Sequence, residues 1–218
     1  MQFKDLVSEN KKDWLKVVKH PFVDEIYRGK LAEETFKFYL IQDHYYLNQS
    51  MRNMAILISK AENLKQKQQL IDILNIEANV EFAKYQELLE YYSLEVKSAE
   101  EMKMTYSNIA YSNYLLAVSS QAGFAEGMAA LIPCYWIYLK MAEYHHHKLK
   151  ENDNQIYQDW ATVFKSSDYK ELVENMVEIL EKEIETKNFK KLNYHFKNSI
   201  KFEYQFFSDV YQRKIWEI

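Results

Sequence analysis

The chain has one cysteine, two prolines and three glycines among 218 residues. A single cysteine closes no disulfide within the chain, which excludes a disulfide-stapled scaffold and suits a reducing cytoplasm, the expected location. Strand-rich folds need turn residues roughly every ten positions, and so few prolines and glycines cannot supply them. The expectation is an all-α fold. No run approaches the roughly 18 apolar residues of a membrane span. The opening MQFKDLVSENKKDW lacks the apolar centre of a signal peptide, so no membrane partner is expected. The formal net charge is −4, with lysines and glutamates interleaved. That pattern lacks the basic stripe with which nucleic-acid binders neutralise phosphates, and it excludes nucleic acid as the expected partner.

Aromatic residues are plentiful: 18 tyrosines, 12 phenylalanines and 4 tryptophans. Most belong in or beside a core, with hydroxyls reaching partners, so their number alone does not argue for a flat ligand. Helical periodicity begins with Phe3, Leu6, Leu15 and Val18 and stops at KHPF, where Pro21 restricts the residue before it. A short helix over about 22–28 ends at Gly29. One long helix is expected over 31–61, then others over about 65–91 and 100–121. After Gly123 comes a helix reaching about 149, then KENDN as a polar loop, then helices near 153–165, 168–186 and 189–214. No repeat or linker marks a second domain, so residues 1–218 are expected to form one helical domain.

The stretch AALIPCYWIYLK sets Cys134 directly after Pro133 inside a helix. Proline cannot donate to the carbonyl of Ala129, and its ring presses on that turn, so a kink is expected beside the thiol. Gly127 and the alanines around it permit close helix approach. Tyr138, four residues on, shares the face of Cys134. In IQDHYYL, Asp43 and Tyr46 share a face of an apolar helix. A carboxylate buried there needs a donor or a ligand. In SIKFEYQFF, Glu203 stands among aromatic residues, a setting that suits acid–base work. Taken singly, Cys134 reads better as a small buried hydrophobe, and Asp43 and Glu203 read better as members of structural ion pairs.

Together these stretches resemble the TenA family, the thiaminase II type of aminopyrimidine aminohydrolase. The resemblance runs through HPFV, FYLIQDHYYL, AYSNYLLAVSSQAGFAEGMAALIPCYWIY, IYQDWATVF and the EYQFF of residues 203–207. The block from Tyr111 to Tyr138 is the most specific. The resemblance implies a haem-oxygenase-like multi-helix bundle, assembled as a homotetramer. It also implies a cofactor-free, metal-free hydrolase that converts 4-amino-5-aminomethyl-2-methylpyrimidine, and by extension thiamin, to 4-amino-5-hydroxymethyl-2-methylpyrimidine in thiamin salvage. Position by position, Cys134 matches the nucleophile and Glu203 the acid–base carboxylate. Asp43 matches the residue that grips the aminopyrimidine, and Tyr46, Tyr111 and Tyr138 match the pocket tyrosines. Phe164 stands four residues after Trp160 where the family usually has tyrosine, which keeps the ring face and removes a hydroxyl. Glu77 and Glu81 stand where the family commonly has a glutamate followed by histidine.

Three other readings compete. Glu143 and His146 have the spacing of a di-iron ligand pair, but no second Glu-x-x-His exists to complete it. The run His145–His147 therefore reads as a solvated helix end. Haem bound through His20 or His44 would rest on fold analogy alone. A non-catalytic pyrimidine-binding or regulatory protein could keep Asp43 and the tyrosines, yet has little need of both Cys134 and Glu203. The aromatic C-terminus, VYQRKIWEI, suits an interface or intrachain packing equally.

Overall fold

The computed structural model describes residues 1–95, 103–184 and 187–215, and among these there is no strand. Eleven α-helices follow in order: α1 (Phe3–Glu9), α2 (Lys11–Val18), α3 (Pro21–Tyr27), α4 (Glu33–Lys60), α5 (Leu64–Ile76), α6 (Phe82–Tyr91), α7 (Tyr106–Gln121), α8 (Phe124–His145), α9 (Gln155–Val163), α10 (Ser167–Ile184) and α11 (Phe189–Gln212). A π-helical turn, Glu77–Glu81, joins α5 to α6, and a 3-10 turn, His146–Glu151, follows α8. The chain divides into two compact units. One comprises Met1–Leu31 with Met128–Ser208, the other Ala32–Gly127 with Asp209–Ile218. No helix among the described residues is long and apolar enough to cross a membrane.

In the first unit the N-terminal helix is broken in two at Asn10. Its amide nitrogen donates to the Leu6 carbonyl at 2.8 Å and to Asn193 Oδ1 at 2.6 Å, a partner 183 positions away that periodicity cannot reveal. Pro21 opens α3 at a position where its missing N–H costs nothing. The His20 ring caps that helix by accepting the Phe22 N–H. Gly29 ends the turn with φ +70. A side chain there would meet Asn152 Oδ1 at 2.3 Å, and Asn152 itself donates to the carbonyls of Ile26 and Tyr27. Glycine is needed here both for the backbone angle and for the close approach. Helix α8 continues through Pro133 without interruption.

In the second unit α4 is the spine. Tyr39, Asp43, Tyr46, Ser50, Asn53 and Leu57 lie on one stripe and are all buried. Helix α7 runs alongside α4 in the same direction. Near their starts, Asn108 Nδ2 donates to the Gln42 carbonyl at 2.7 Å and Gln42 Oε1 accepts the Thr105 N–H at 3.0 Å. Near their ends, Lys60 Nζ reaches the carbonyls of Ser120 and Ala122. Beyond α7, a Cβ on Gly127 would meet Leu57 Cδ2 at 2.5 Å and Ser119 Oγ at 2.9 Å. This is the close approach its sequence context suggested.

Candidate active site

Asp43 sits mid-way along α4, 7% exposed. Its Oδ2 accepts a hydrogen bond from the Tyr39 hydroxyl at 2.9 Å, one turn earlier, and another from the Tyr85 hydroxyl on α6. Burial pushes its carboxyl up to about 6, while the two hydroxyls pull it back down. The donor that a carboxylate in this helix requires is therefore a pair of tyrosines. Tyr39 is legible as the residue four before Asp43, whereas Tyr85, 42 positions away, has no local signal. One turn after Asp43, Tyr46 lies against Tyr111 of α7, with ring centroids 5.3 Å apart and planes at 30°. Both are buried. The second unit thus brings three of the expected residues, Asp43, Tyr46 and Tyr111, onto two adjacent helices.

The first unit holds the other four. Cys134 is buried on α8, and one turn later Tyr138 enters an aromatic cluster. Its ring lies 4.8 Å from Phe164 and 6.2 Å from Trp160 on the α9 segment, and 5.9 Å from Phe207 on α11. Phe164 terminates α9 and also meets Trp160 at 4.9 Å and Tyr169 at 5.2 Å, edge to face. Glu203 is 3% exposed and lies one turn before Phe207 on α11. Cys134 and Glu203 are therefore each one helical turn from the Tyr138–Phe207 contact. A thiol, a carboxyl and aromatic rings are the parts that nucleophilic addition to a flat ring and proton transfer require.

The three consecutive histidines depart from the expected solvated helix end. His146 and His147 are exposed, but His145 is 1% exposed. Its Nε2 lies 2.7 Å from the Val18 carbonyl and its Nδ1 2.7 Å from Lys148 Nζ. Adjacent helical positions point about 100° apart, so one of three consecutive side chains turns inward against the N-terminal helices. Glu143 pairs with Lys140 at 2.7 Å. His20 Nε2 lies 3.1 Å from Ser208 Oγ, and the His44 ring packs on Phe82. Glu77 is buried in the π-helical turn. Trp216, part of the aromatic C-terminus, lies outside the described residues.

A profile of the TENA/THI-4/PQQC family matches residues 8–213. The aminopyrimidine aminohydrolase of Halalkalibacterium halodurans is 26% identical over 210 residues, spanning 93% of this chain and 92% of its own. A solved TenA homologue from P. horikoshii OT3 superposes with a TM-score of 0.88 at 33% identity, over 96% of this chain and 97% of that one. A Shewanella denitrificans domain of unknown function with a heme oxygenase-like fold superposes with a TM-score of 0.76 at 14% identity, over 98% and 93%. That last likeness concerns the fold, which is all-α and haem-oxygenase-like.

Proposed function

Because the chain belongs to the TENA/THI-4/PQQC family, we propose that it is an aminopyrimidine aminohydrolase of thiamin salvage. It hydrolyses 4-amino-5-aminomethyl-2-methylpyrimidine to the 5-hydroxymethyl compound and ammonia, and accepts thiamin more slowly, releasing the thiazole. Residues 1–218 act as one catalytic domain without cofactor or metal, in a cytoplasmic homotetramer. The observation that carries the reading is the Asp43 carboxyl, buried on a polar helix stripe and held at one oxygen by two tyrosine hydroxyls. The two hydroxyls offset the cost of burying that carboxyl and engage one of its oxygens, which suits the other to a ligand's amine or ring nitrogen. The relative named aminopyrimidine aminohydrolase, matching along nearly its whole length, supports the choice of ligand.

In this reading Asp43 grips the amino-pyrimidine edge, and the rings of Tyr46, Tyr111, Tyr138 and Phe164 supply flat faces. The Cys134 thiolate adds to a ring carbon while a ring nitrogen, protonated or hydrogen-bonded, accepts the electron pair. The ring electrons then expel the amine, which leaves as ammonia after taking a proton. An exocyclic methylene remains. Water adds to that methylene, and the thiolate departs to restore the aromatic ring. Glu203 moves the protons, giving one to the leaving amine and taking one from the attacking water. The test is chromatography of ring products after incubating the purified protein with the aminomethylpyrimidine and, separately, with thiamin. Hydroxymethylpyrimidine should appear from both, faster from the aminomethyl compound. Turnover of neither by folded protein sinks the reading.

A further inference from the structure

The hydrogen bonds to Asp43 fall on one atom. Oδ2 accepts from both Tyr39 and Tyr85, and among the described residues Oδ1 takes none. We propose that Tyr85 is a positioning residue for ligand recognition: with Tyr39 it pins Oδ2, so that Asp43 meets the ring nitrogen of a heteroaromatic ligand through Oδ1 alone. This rests on the reading of Asp43 as the residue that grips an aminopyrimidine.

The chemistry of the two hydroxyls enforces the arrangement. Burial and the nearby Asp43 charge push the Tyr85 hydroxyl well above its ordinary range, so it remains protonated and remains a donor. An oxygen that already accepts two O–H bonds is the poorer place for a further proton. When Asp43 is protonated, the proton therefore sits on Oδ1, the atom offered to the ligand. Asp43 can then present an acceptor or a donor at one fixed point, matching a weakly basic ring nitrogen in either state. The groups that act on its titration are Tyr39 from its own helix and Tyr85 from α6. Helix α7, packed alongside, carries no charged residue, and α5 contributes Lys65, Lys67 and Asp72, none of which acts on it. The buried Glu77 opens the π-helical turn.

That turn explains how Tyr85 comes to point at α4. From Leu64 to Tyr91 the helical backbone is continuous, with the wider turn at Glu77–Glu81 inserted between α5 and α6. One extra residue in a helix rotates everything after it by about 100°. Tyr85 and Leu89 form the buried face of α6, and Tyr92, just beyond, packs edge-on against Phe36 of α4 at 6.0 Å. With a regular α-turn in place of the π turn, that face would swing away from Asp43. The bulge thus acts as the device that aims the Tyr85 hydroxyl.

The test is calorimetric titration of 4-amino-5-hydroxymethyl-2-methylpyrimidine into the wild-type protein and the Asp43→Asn, Tyr85→Phe and Tyr39→Phe variants between pH 5 and 8. Tyr85→Phe should weaken binding by about tenfold, the loss of one hydrogen bond to a charged group. It should also move the pH midpoint of binding upward, because ionised Asp43 loses a donor. A side chain that only packs would leave that midpoint where it was. If wild type does not bind, or Asp43→Asn binds as well as wild type, the functional reading falls and the proposal with it. Binding lost in Asp43→Asn but unchanged in affinity and midpoint in Tyr85→Phe overturns the positioning role alone. Should Tyr85→Phe not fold, a crystal structure of the wild-type complex decides. The ring nitrogen on Oδ1 with both tyrosines on Oδ2 is expected. A ligand bound to Oδ2, or Tyr85 moved onto the ligand, overturns the proposal.

Discussion

In the proposed function, Phe164 is the residue whose missing hydroxyl would change what is recognised. Its ring is half-buried and meets Tyr138, Trp160 and Tyr169, so a ring is in place there, and only the hydroxyl of the tyrosine that the resemblance to the family implies is missing. Phe164→Tyr adds a donor at the rim of that cluster without changing ring volume. For the aminomethylpyrimidine, KM should fall by about fivefold, the worth of one ordinary hydrogen bond, with kcat changed by no more than about twofold. Steady-state kinetics on both substrates check this. A large change in kcat at constant KM would instead place the hydroxyl in the chemistry. At this scale the sequence was informative wherever a residue's partner is one turn away, as Tyr39 is for Asp43. It was silent on Tyr85, whose contact with Asp43 depends on how one helix packs against another.

At the scale of elements, joints between helices carry the features that periodicity does not reveal. Asn10, where α1 gives way to α2, hydrogen-bonds the distant Asn193, and the π turn needs only one extra residue in an unbroken right-handed backbone, which leaves no compositional mark. Long regular elements were legible: the expected helix over 31–61 is α4, Glu33–Lys60. Two joints are pinned by buried histidines. His20 accepts the Phe22 N–H through Nδ1, which leaves Nε2–H to donate to Ser208 Oγ. His145 donates Nε2–H to the Val18 carbonyl and accepts from Lys148 through Nδ1. Both rings are therefore neutral, and burial holds both down to about 4. Unfolded histidine takes its proton near pH 6.5, so acid favours the unfolded chain. The stability these rings contribute is full above about pH 6.5 and is lost progressively as pH falls toward about 4. Asp43, raised from 3.8 to about 6, works in the opposite sense over that interval. The comparison that isolates the ring is therefore the urea midpoint of wild type and His145→Gln at pH 7 and pH 5. Wild type should lose more stability than the variant between the two. Equal losses would mean that His145 does not stay neutral in the fold.

For the whole molecule, the all-α fold was readable from scarcity, because a chain so poor in glycine and proline cannot turn often enough to build sheets. The division into two compact units was not readable, since no linker or shift in composition accompanies it. The candidate residues divide the same way, with Cys134, Tyr138, Phe164 and Glu203 in one unit and Asp43, Tyr46 and Tyr111 in the other. The proposed nucleophile and the proposed pyrimidine-gripping carboxyl lie in different units, and substituting Cys134 alone tests the chemistry while leaving Asp43 in place. The most direct measurement of the central claim compares wild type with Cys134→Ser in one preparation each, following aminomethylpyrimidine turnover and hydroxymethylpyrimidine affinity together. Turnover should fall by about a thousandfold or more, as for loss of a covalent nucleophile, while affinity stays within about threefold, short of the loss of one hydrogen bond. Turnover that survives the substitution would contradict a thiol-dependent hydrolase.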